Sequence, residues 1–460
     1  MKLPCKLPAV LLACALLTGC AAGAEGTASS PAPPLAANPS SSAPQRLTGV
    51  ICAQSEDNFT LEDGMGRRYS FQKGAEGLSA PDGCYIGAEV SVAYNGVLGE
   101  DGDISKAEVL SIAVAPRPAV FAQFEEQAKA IASTLSADEK LRQMILSAVN
   151  TADPAAQVGK EQPAGYVLFR KDFADLTAEA VQEKLAAMQE AAKLPLIMAV
   201  DEEGGPVVRI SSNPNLRAEI FPAPSELCAA GEGAVHADAV EKASLLLDLG
   251  CNVLLAPVAD LSLDEGDYIH SRTTGLPAPE TAAYVVEVVK AAQPLGCGTV
   301  MKHFPGYGNN LNTHTNVSMD ERPYQNFVEA DFVPFQAGID AGGQGVLVSH
   351  NIVISMDADL PASLSPEVHR ILREELGFTG AILTDDLGMD AIGLYTGNEA
   401  PAVLAAAAGN DLLLSQNFDQ TIVQLKEAYD AGRITDEMVD SAVVRVLSWK
   451  LALGLIPAEP

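Results

Sequence analysis

The chain is short of positive charge. Its 460 residues hold 29 Lys and Arg against 60 Asp and Glu, a formal net charge of −31. Binding phosphate backbones takes clustered Lys and Arg, so a nucleic-acid surface is excluded. Histidine is scarce, at six residues, and the eight cysteines show no zinc-ligand spacing. Neither a Gly-x-Ser-x-Gly elbow nor a dinucleotide-binding glycine fingerprint is present, so no metal and no cofactor is expected. The apolar run near the N-terminus is too short for a spanning helix.

What is present begins with that N-terminus. "MKLPCKLPAVLLACALLTGC" sets Lys2 and Lys6 before a short apolar core that ends at Leu17-Thr18-Gly19-Cys20. Residues 1–19 read as a secretory signal. The ending resembles the bacterial lipobox, in which the cysteine is lipidated and becomes the new N-terminus. Cys20 is therefore the expected lipidation site, with a membrane as partner through that anchor. The protein is then exported and held at the outer face of a bacterial membrane. The alternative is an ordinary signal peptide cut near "AAGA". Residues 20–46 are Ala-, Ser- and Pro-rich with almost no large apolar side chain, which predicts a disordered linker.

Residues 47–115 alternate apolar and polar positions between Gly and Asp turns, as in "NFTLED", "RRYSFQ" and "GAEVSVAYNG". They predict a small all-β domain, with no chemical constellation of its own. Cys52 and Cys84 both fall in it, and their pairing is left open. Cys228, Cys251 and Cys297 sit in apolar surroundings and read as buried thiols.

From 116 to 460 the pattern changes. Eight short apolar runs alternate with helical segments: 144–149, 165–169, 195–201, 252–257, 298–304, 345–350, 381–386 and 411–415. Near-continuous apolar strands between helices mean a parallel sheet covered on both faces. Eight such units predict an α/β fold, a TIM (β/α)8 barrel preceded by the small β domain. An open doubly wound sheet is the alternative, but no glycine-rich phosphate loop follows the first strand. The segment "SPEVHRILREELG" begins with Ser365 as a helix cap and Pro366 at the first helical position, and Gly377 ends it.

Several runs end in ionisable residues: Asp201, Asp260, Lys302 with His303, His350, and Asp385 with Asp386. In a TIM barrel the ends of the strands gather the reactive groups. Carboxylates, Lys, His, Arg209 and Arg272 together suit a neutral polyhydroxylated substrate, because sugar hydroxyls accept from Arg and Lys and donate to Asp. Glycosidic cleavage needs one carboxylate at the anomeric carbon and one proton donor at the leaving oxygen.

"DEEGGPVVR", "KHFPGYG", "NTHT" and "PASLSPEVHRILREELGFTGAILTDDLGM" resemble glycoside hydrolase family 3, in its β-N-acetylhexosaminidase branch. The similarity spans roughly 120 to 455, across all eight units. It implies a retaining exo-β-N-acetylhexosaminidase that acts through a covalent glycosyl-enzyme. The substrate would be a glycan ending in N-acetylglucosamine, from the cell wall or elsewhere. By the same resemblance Asp385 matches the nucleophile and His314 the acid/base. Asp201, Arg209, Arg272, Lys302 and His303 match substrate-binding positions. His350 reads as a supporting residue at the edge, His236 and His369 as surface or packing residues, and Gly306 and Gly308 as giving the His314 loop room to swing.

One position departs from the family. The dyad partner of the acid/base is an aspartate two residues before it, and here that residue is Asn312. An amide accepts a hydrogen bond from imidazole but carries no charge. Three readings follow: a slower enzyme, a substitute carboxylate such as Asp320, or a catalytically impaired sugar-binding or sensing lipoprotein.

Overall fold

The computed structural model describes residues 44–54, 58–80, 84, 88–99, 102–116, 119–231, 233–310, 318–388, 392 and 399–458. The signal segment, Cys20 and most of the linker lie outside these residues, as do Asn312 and His314.

The first sheet contains β1 (Gln45–Gln54), β2 (Asn58–Asp63), β3 (Arg68–Gln72), β4 (Leu78–Ser79), β5 (Glu89–Gly96) and β6 (Ala107–Val114). Their spatial order is β3-β2-β1-β5-β6-β4. Alternation does what the sequence predicts. Phe59 and Leu61, Tyr69 and Phe71, and Val90, Val92 and Tyr94 all point to one face and form a single core. β1 begins at Gln45, inside the segment read as linker, because Gln45 and Arg46 pair with Tyr94 and Ala93. Cys52 and Cys84 are both free thiols. The Cys52 Sγ donates instead to the Thr60 carbonyl at 3.5 Å.

Every apolar run of the larger domain is a strand: β7 (Ile145–Ala148), β8 (Gly165–Leu168), β9 (Ile197–Val200), β10 (Val253–Leu254), β11 (Gly298–Phe304), β13 (Gly345–Val348), β15 (Ala381–Thr384) and β16 (Leu413–Leu414). Two short extra strands, β12 (Met319–Asp320) and β14 (Ile352–Val353), pair with each other outside the ring. The eight are parallel in the order β15-β13-β11-β10-β9-β8-β7-β16. A bridge between Leu383 and Leu412 closes β16 onto β15. The sheet is thus a (β/α)8 barrel, and the open-sheet alternative falls.

Both faces of each strand are buried, and period two sorts them. Val167, Ile197, Ala199, Val253, Leu255, Val300, Leu347 and Leu383 belong to the interior cluster. Their neighbours Leu168, Met198, Val200 and Leu254 pack outward, as do Met301, Val346 and Ile382. Trp449 and Leu453, at the end of the C-terminal helix, join the interior cluster. The Trp449 indole N–H donates to Gln344 Oε1 at 3.0 Å, just before β13 begins, so this pair floors the end where the strands start. The chemistry is left to the opposite end. Ser365 caps its helix as predicted, accepting from the Val368 amide at 3.3 Å, and Gly377 follows in the left-handed region at φ 66°.

Candidate active site

Strand periodicity aims the functional side chains. Ile197 and Ala199 face the interior, so Asp201, the next residue in that series, continues the inner face at the strand end. Val300 does the same for Lys302, and Leu383 for Asp385. Parallel strands end together, so these three groups share one end of the barrel.

They are joined by a chain of alternating charges. Arg209 Nη2 lies 3.4 Å from Asp201 Oδ2. Lys302 Nζ donates to Asp201 Oδ1 at 2.6 Å and meets Glu203 Oε1 at 2.5 Å. Arg272 grips Glu203 with two bonds, 2.9 Å from Nε and 2.7 Å from Nη2. The same Nη2 reaches His303 Nε2 at 3.1 Å, and His303 Nδ1 meets Asp260 Oδ2 at 2.6 Å. A guanidinium can only donate, so His303 accepts at Nε2 and gives its Nδ1 proton to Asp260. The network fixes the ring's tautomer and orientation.

Glu203 is the centre of this chain. Its side chain is wholly buried, and burial alone would raise its carboxyl. Arg272 and Lys302 overcome that and hold it well below the usual carboxylate range. Burial pulls the Arg272 guanidinium down, and Glu203 more than reverses the effect. Glu202, also buried, has a different task. Its carboxylate accepts the amides of Arg209 at 2.9 Å, Ile210 at 2.7 Å and Ser211 at 3.2 Å, together with the Ser211 hydroxyl. That clasp shapes the loop that presents Arg209. Sequence reasoning did not single out Glu202 or Glu203, and named Asp260 only as a strand-end carboxylate. The signal was visible: three acids directly after a strand exceed what one sugar contact needs, and the surplus was there to hold cations.

The turn after β11 is built tightly. Asp260 accepts the backbone amides of His303 at 3.1 Å and Tyr307 at 2.8 Å. Gly306 has φ 126°, and a Cβ there would sit 2.3 Å from Asp331 Oδ1; at Gly308 it would sit 2.7 Å from the Arg322 guanidinium. Both glycines, expected as sources of loop freedom, are sites of close packing. Arg322 bridges Asp320 (2.7 Å) and Asp331 (2.9 Å). Burial raises the Asp331 carboxyl to about 6, against the pull of Arg322. Asn310 donates to Asp320 at 2.8 Å and accepts from the Ser318 hydroxyl at 2.9 Å. The residues on either side of 311–317 are therefore tied to each other. Asp320, the carboxylate considered as a substitute dyad partner, has both oxygens engaged by Arg322.

The Asp385 segment is clamped from below. Its amide donates to the Val348 carbonyl at 3.0 Å, and its Oδ1 accepts the Asp386 amide at 2.8 Å. Asp386 turns its carboxylate to Gln416 and to the Gly388 amide, so it is spoken for. His350 donates from Nε2 to the Asp386 carbonyl at 3.0 Å and accepts at Nδ1 from the Ser363 hydroxyl at 2.7 Å. It supports the backbone at this point, as read from the sequence. His236 is exposed beside Glu287, 2.6 Å away. His369 is buried and bonded to the Ser365 carbonyl at 2.8 Å, and burial lowers its imidazole. His270 meets the Ser262 carbonyl at 3.2 Å, two residues from Arg272. The fold thus brings together Asp201, Arg209, Arg272, Lys302 and His303, with Asp385 at the same end.

Residues 136–449 match the family model described as glycosyl hydrolase family 3 N terminal domain. A β-hexosaminidase of Xanthomonas campestris pv. campestris is 37% identical over 236 residues, which cover 50% of this chain and 69% of that protein. One of Xanthomonas oryzae pv. oryzae is 35% identical over 260 residues, covering 55% and 75%. The solved family 3 β-N-acetylglucosaminidase of a Paenibacillus species superposes with a TM-score of 0.66 at 28% identity. That match covers 71% of this chain and only 64% of the Paenibacillus chain. A β-N-acetylhexosaminidase from Beutenbergia cavernae superposes with a TM-score of 0.61 at 26% identity, covering 70% and 99%. The barrel, its strand-end carboxylates and cations, and these matches agree: the chain belongs to glycosyl hydrolase family 3, a family of glycosidases.

Proposed function

We propose that the protein is a retaining exo-β-N-acetylhexosaminidase that removes terminal β-linked N-acetylglucosamine from cell-wall or related glycans. The observation that carries this is an inner-face carboxylate, Asp385, at the same end of the barrel as the interlocked Asp201–Lys302–Glu203–Arg272 set. The names borne by the relatives support the choice of sugar.

Arg209, Arg272, Lys302 and Asp201 grip the hydroxyls of the terminal sugar, with His303 beside them. Their mutual bonds hold the grips in position before substrate arrives. Asp385 attacks the anomeric carbon while the glycosidic C–O bond breaks, and His314 gives its proton to the departing oxygen. Water then attacks the same carbon, His314 takes a proton from it, and Asp385 leaves with the bonding electrons. Two inversions give net retention. An amide at position 312, where the family has an aspartate, brings no charge to the acid/base, which slows the proton transfer.

Cys20 carries the lipid anchor in this reading, and the enzyme works outside the cytoplasm on the membrane's outer face. The test is an aryl β-N-acetylglucosaminide hydrolysed under proton NMR. The first product formed should be the β-anomer. An α-anomer would defeat the retaining mechanism. No turnover at all would favour the second reading, a sugar-binding lipoprotein impaired by Asn312.

A further inference from the structure

Arg272 and Lys302 are mounted on the Glu203 carboxylate, and Glu203 is itself held from behind. Its amide donates to the Val207 carbonyl at 3.0 Å. Its carbonyl accepts from Lys242 Nζ at 2.9 Å. Lys242 stands on the helix Ala234–Leu249, outside the strand-end loops that carry the gripping residues.

A lysine is out of place there by the ordinary rule of burial. Ala239, Ala243 and Leu246 of the same helix are buried, and Lys242 is buried with them at 3% exposure. Asp238, one turn earlier, balances its charge at 2.7 Å. The ammonium also lies 5.2 Å from the centre of the Phe221 ring. A buried ion pair adds little net stability over an apolar pair of the same volume. What the lysine adds is its further contact, with the Glu203 carbonyl. That carbonyl belongs to a buried residue, so without its donor the peptide would turn to find another.

The chain just beyond is able to turn. Gly204 and Gly205 follow, both with left-handed backbone at φ 100° and 58°. A Cβ on Gly204 would press on the Pro222 carbonyl and lie 3.3 Å from Lys242 Nζ. Gly205 donates its amide to the Phe221 carbonyl at 2.8 Å. Lys242 thus pins the peptide that joins Glu203 to this glycine pair. On the other side the Glu203 carboxylate takes Arg272 through two bonds and meets Lys302, so a shift of Glu203 moves both cations.

We propose that Lys242 is a positioning residue for the sugar-gripping set. By donating to the Glu203 carbonyl it fixes the carboxylate that aims Arg272 and Lys302. Asp238 serves only to neutralise it. The inference rests on the hexosaminidase reading of the site.

The test sets two variants against each other. Asp238→Asn strips the ion pair but leaves the amine and its bond to the carbonyl, since an ammonium and an amine both donate. The double variant Asp238→Leu with Lys242→Met refills the space with apolar atoms and removes the donor. Thermal melts, aryl β-N-acetylglucosaminide kinetics and calorimetric binding of N-acetylglucosamine are read on both. In Asp238→Asn, Tm should fall by about 5–10 °C while KM and the sugar's Kd stay within about twofold. In the double variant Tm should stay within about 3 °C of wild type. Its KM and Kd should rise at least about 10-fold with kcat within about threefold, the pattern of lost binding. Unchanged KM and Kd in the double variant would overturn the inference. So would a double variant that no longer folds, because the pair would then be scaffold, and so would a KM that rises with the loss of Tm in Asp238→Asn. A wild type that neither cleaves the glycoside nor binds the sugar would overturn the hexosaminidase reading, and the inference with it.

Discussion

Replacing Glu203 by Gln isolates the part played by the buried charge at the centre of the site. The change keeps volume and shape but removes a charge that Lys302 approaches to 2.5 Å and Arg272 to 2.7 Å. Two unit charges about 4 Å apart attract by about 4 kcal/mol at an effective dielectric near 20. Two such attractions are offset by the desolvation of a wholly buried carboxylate. Breaking a buried pair from one side leaves about 3–5 kcal/mol of destabilisation. For a domain of this size that is a loss on the order of 5–10 °C in Tm. Lys302 keeps the Asp201 carboxylate at 2.6 Å, whereas Arg272 keeps His303 and one neutral amide oxygen in place of its two-bonded carboxylate. Arg272 should therefore wander, and kcat/KM should fall about 100-fold, as for a misplaced binding group.

The measurements are a thermal melt and aryl-glycoside kinetics on wild type and variant. The pH dependence has a definite sign. Glu203's folded pKa is depressed, so its stabilisation is fully present above the ordinary carboxylate value of about 4.3 and fades only as pH falls toward the lower folded value. The gap in Tm between the two proteins should thus be flat from about pH 5 to 8 and narrow in acid. An unchanged Tm with kcat/KM within twofold of wild type would refute the reasoning, and so would a gap that widens in acid.

Three further outcomes are expected. Asp385→Ala should abolish aryl β-N-acetylglucosaminide hydrolysis with little change in Tm, and an active variant would remove it as nucleophile. Asn312→Asp should raise kcat, by up to about 10⁴-fold if the dyad behaves like the serine-protease triad, in which the reverse change costs about that much; an unchanged rate would mean that another group does this work. Lys450, with no exposure, has only Gln143 as side-chain partner among the described residues, at 2.7 Å, and burial lowers its amine to about 7. Its unfolded value is near 10.4, so the unfolded chain binds more protons between those limits and stability rises with pH there. Lys450→Met should raise stability by on the order of 1–3 kcal/mol near pH 7, and a gain that does not shrink toward pH 10 would contradict the assignment.

The sequence by itself determined the eight strands, because a buried parallel strand must be apolar on both faces and that signal is local. It also determined that the ionisable residues stand at strand ends, and period two carries Asp201, Lys302 and Asp385 along the inner face. Folding decided which charge meets which. Lys302 finds Asp201 across 101 positions, and Arg272 finds Glu203 across 69. No local rule chooses those partners, so Glu203 passed unnoticed between Asp201 and two turn-forming glycines. The same holds for Asp320, which serves Arg322, and for Gly306, whose missing Cβ makes room for Asp331. Local pattern sets what each segment becomes; pairing between distant segments is settled only by burial, where a charge left without a partner is too costly to keep.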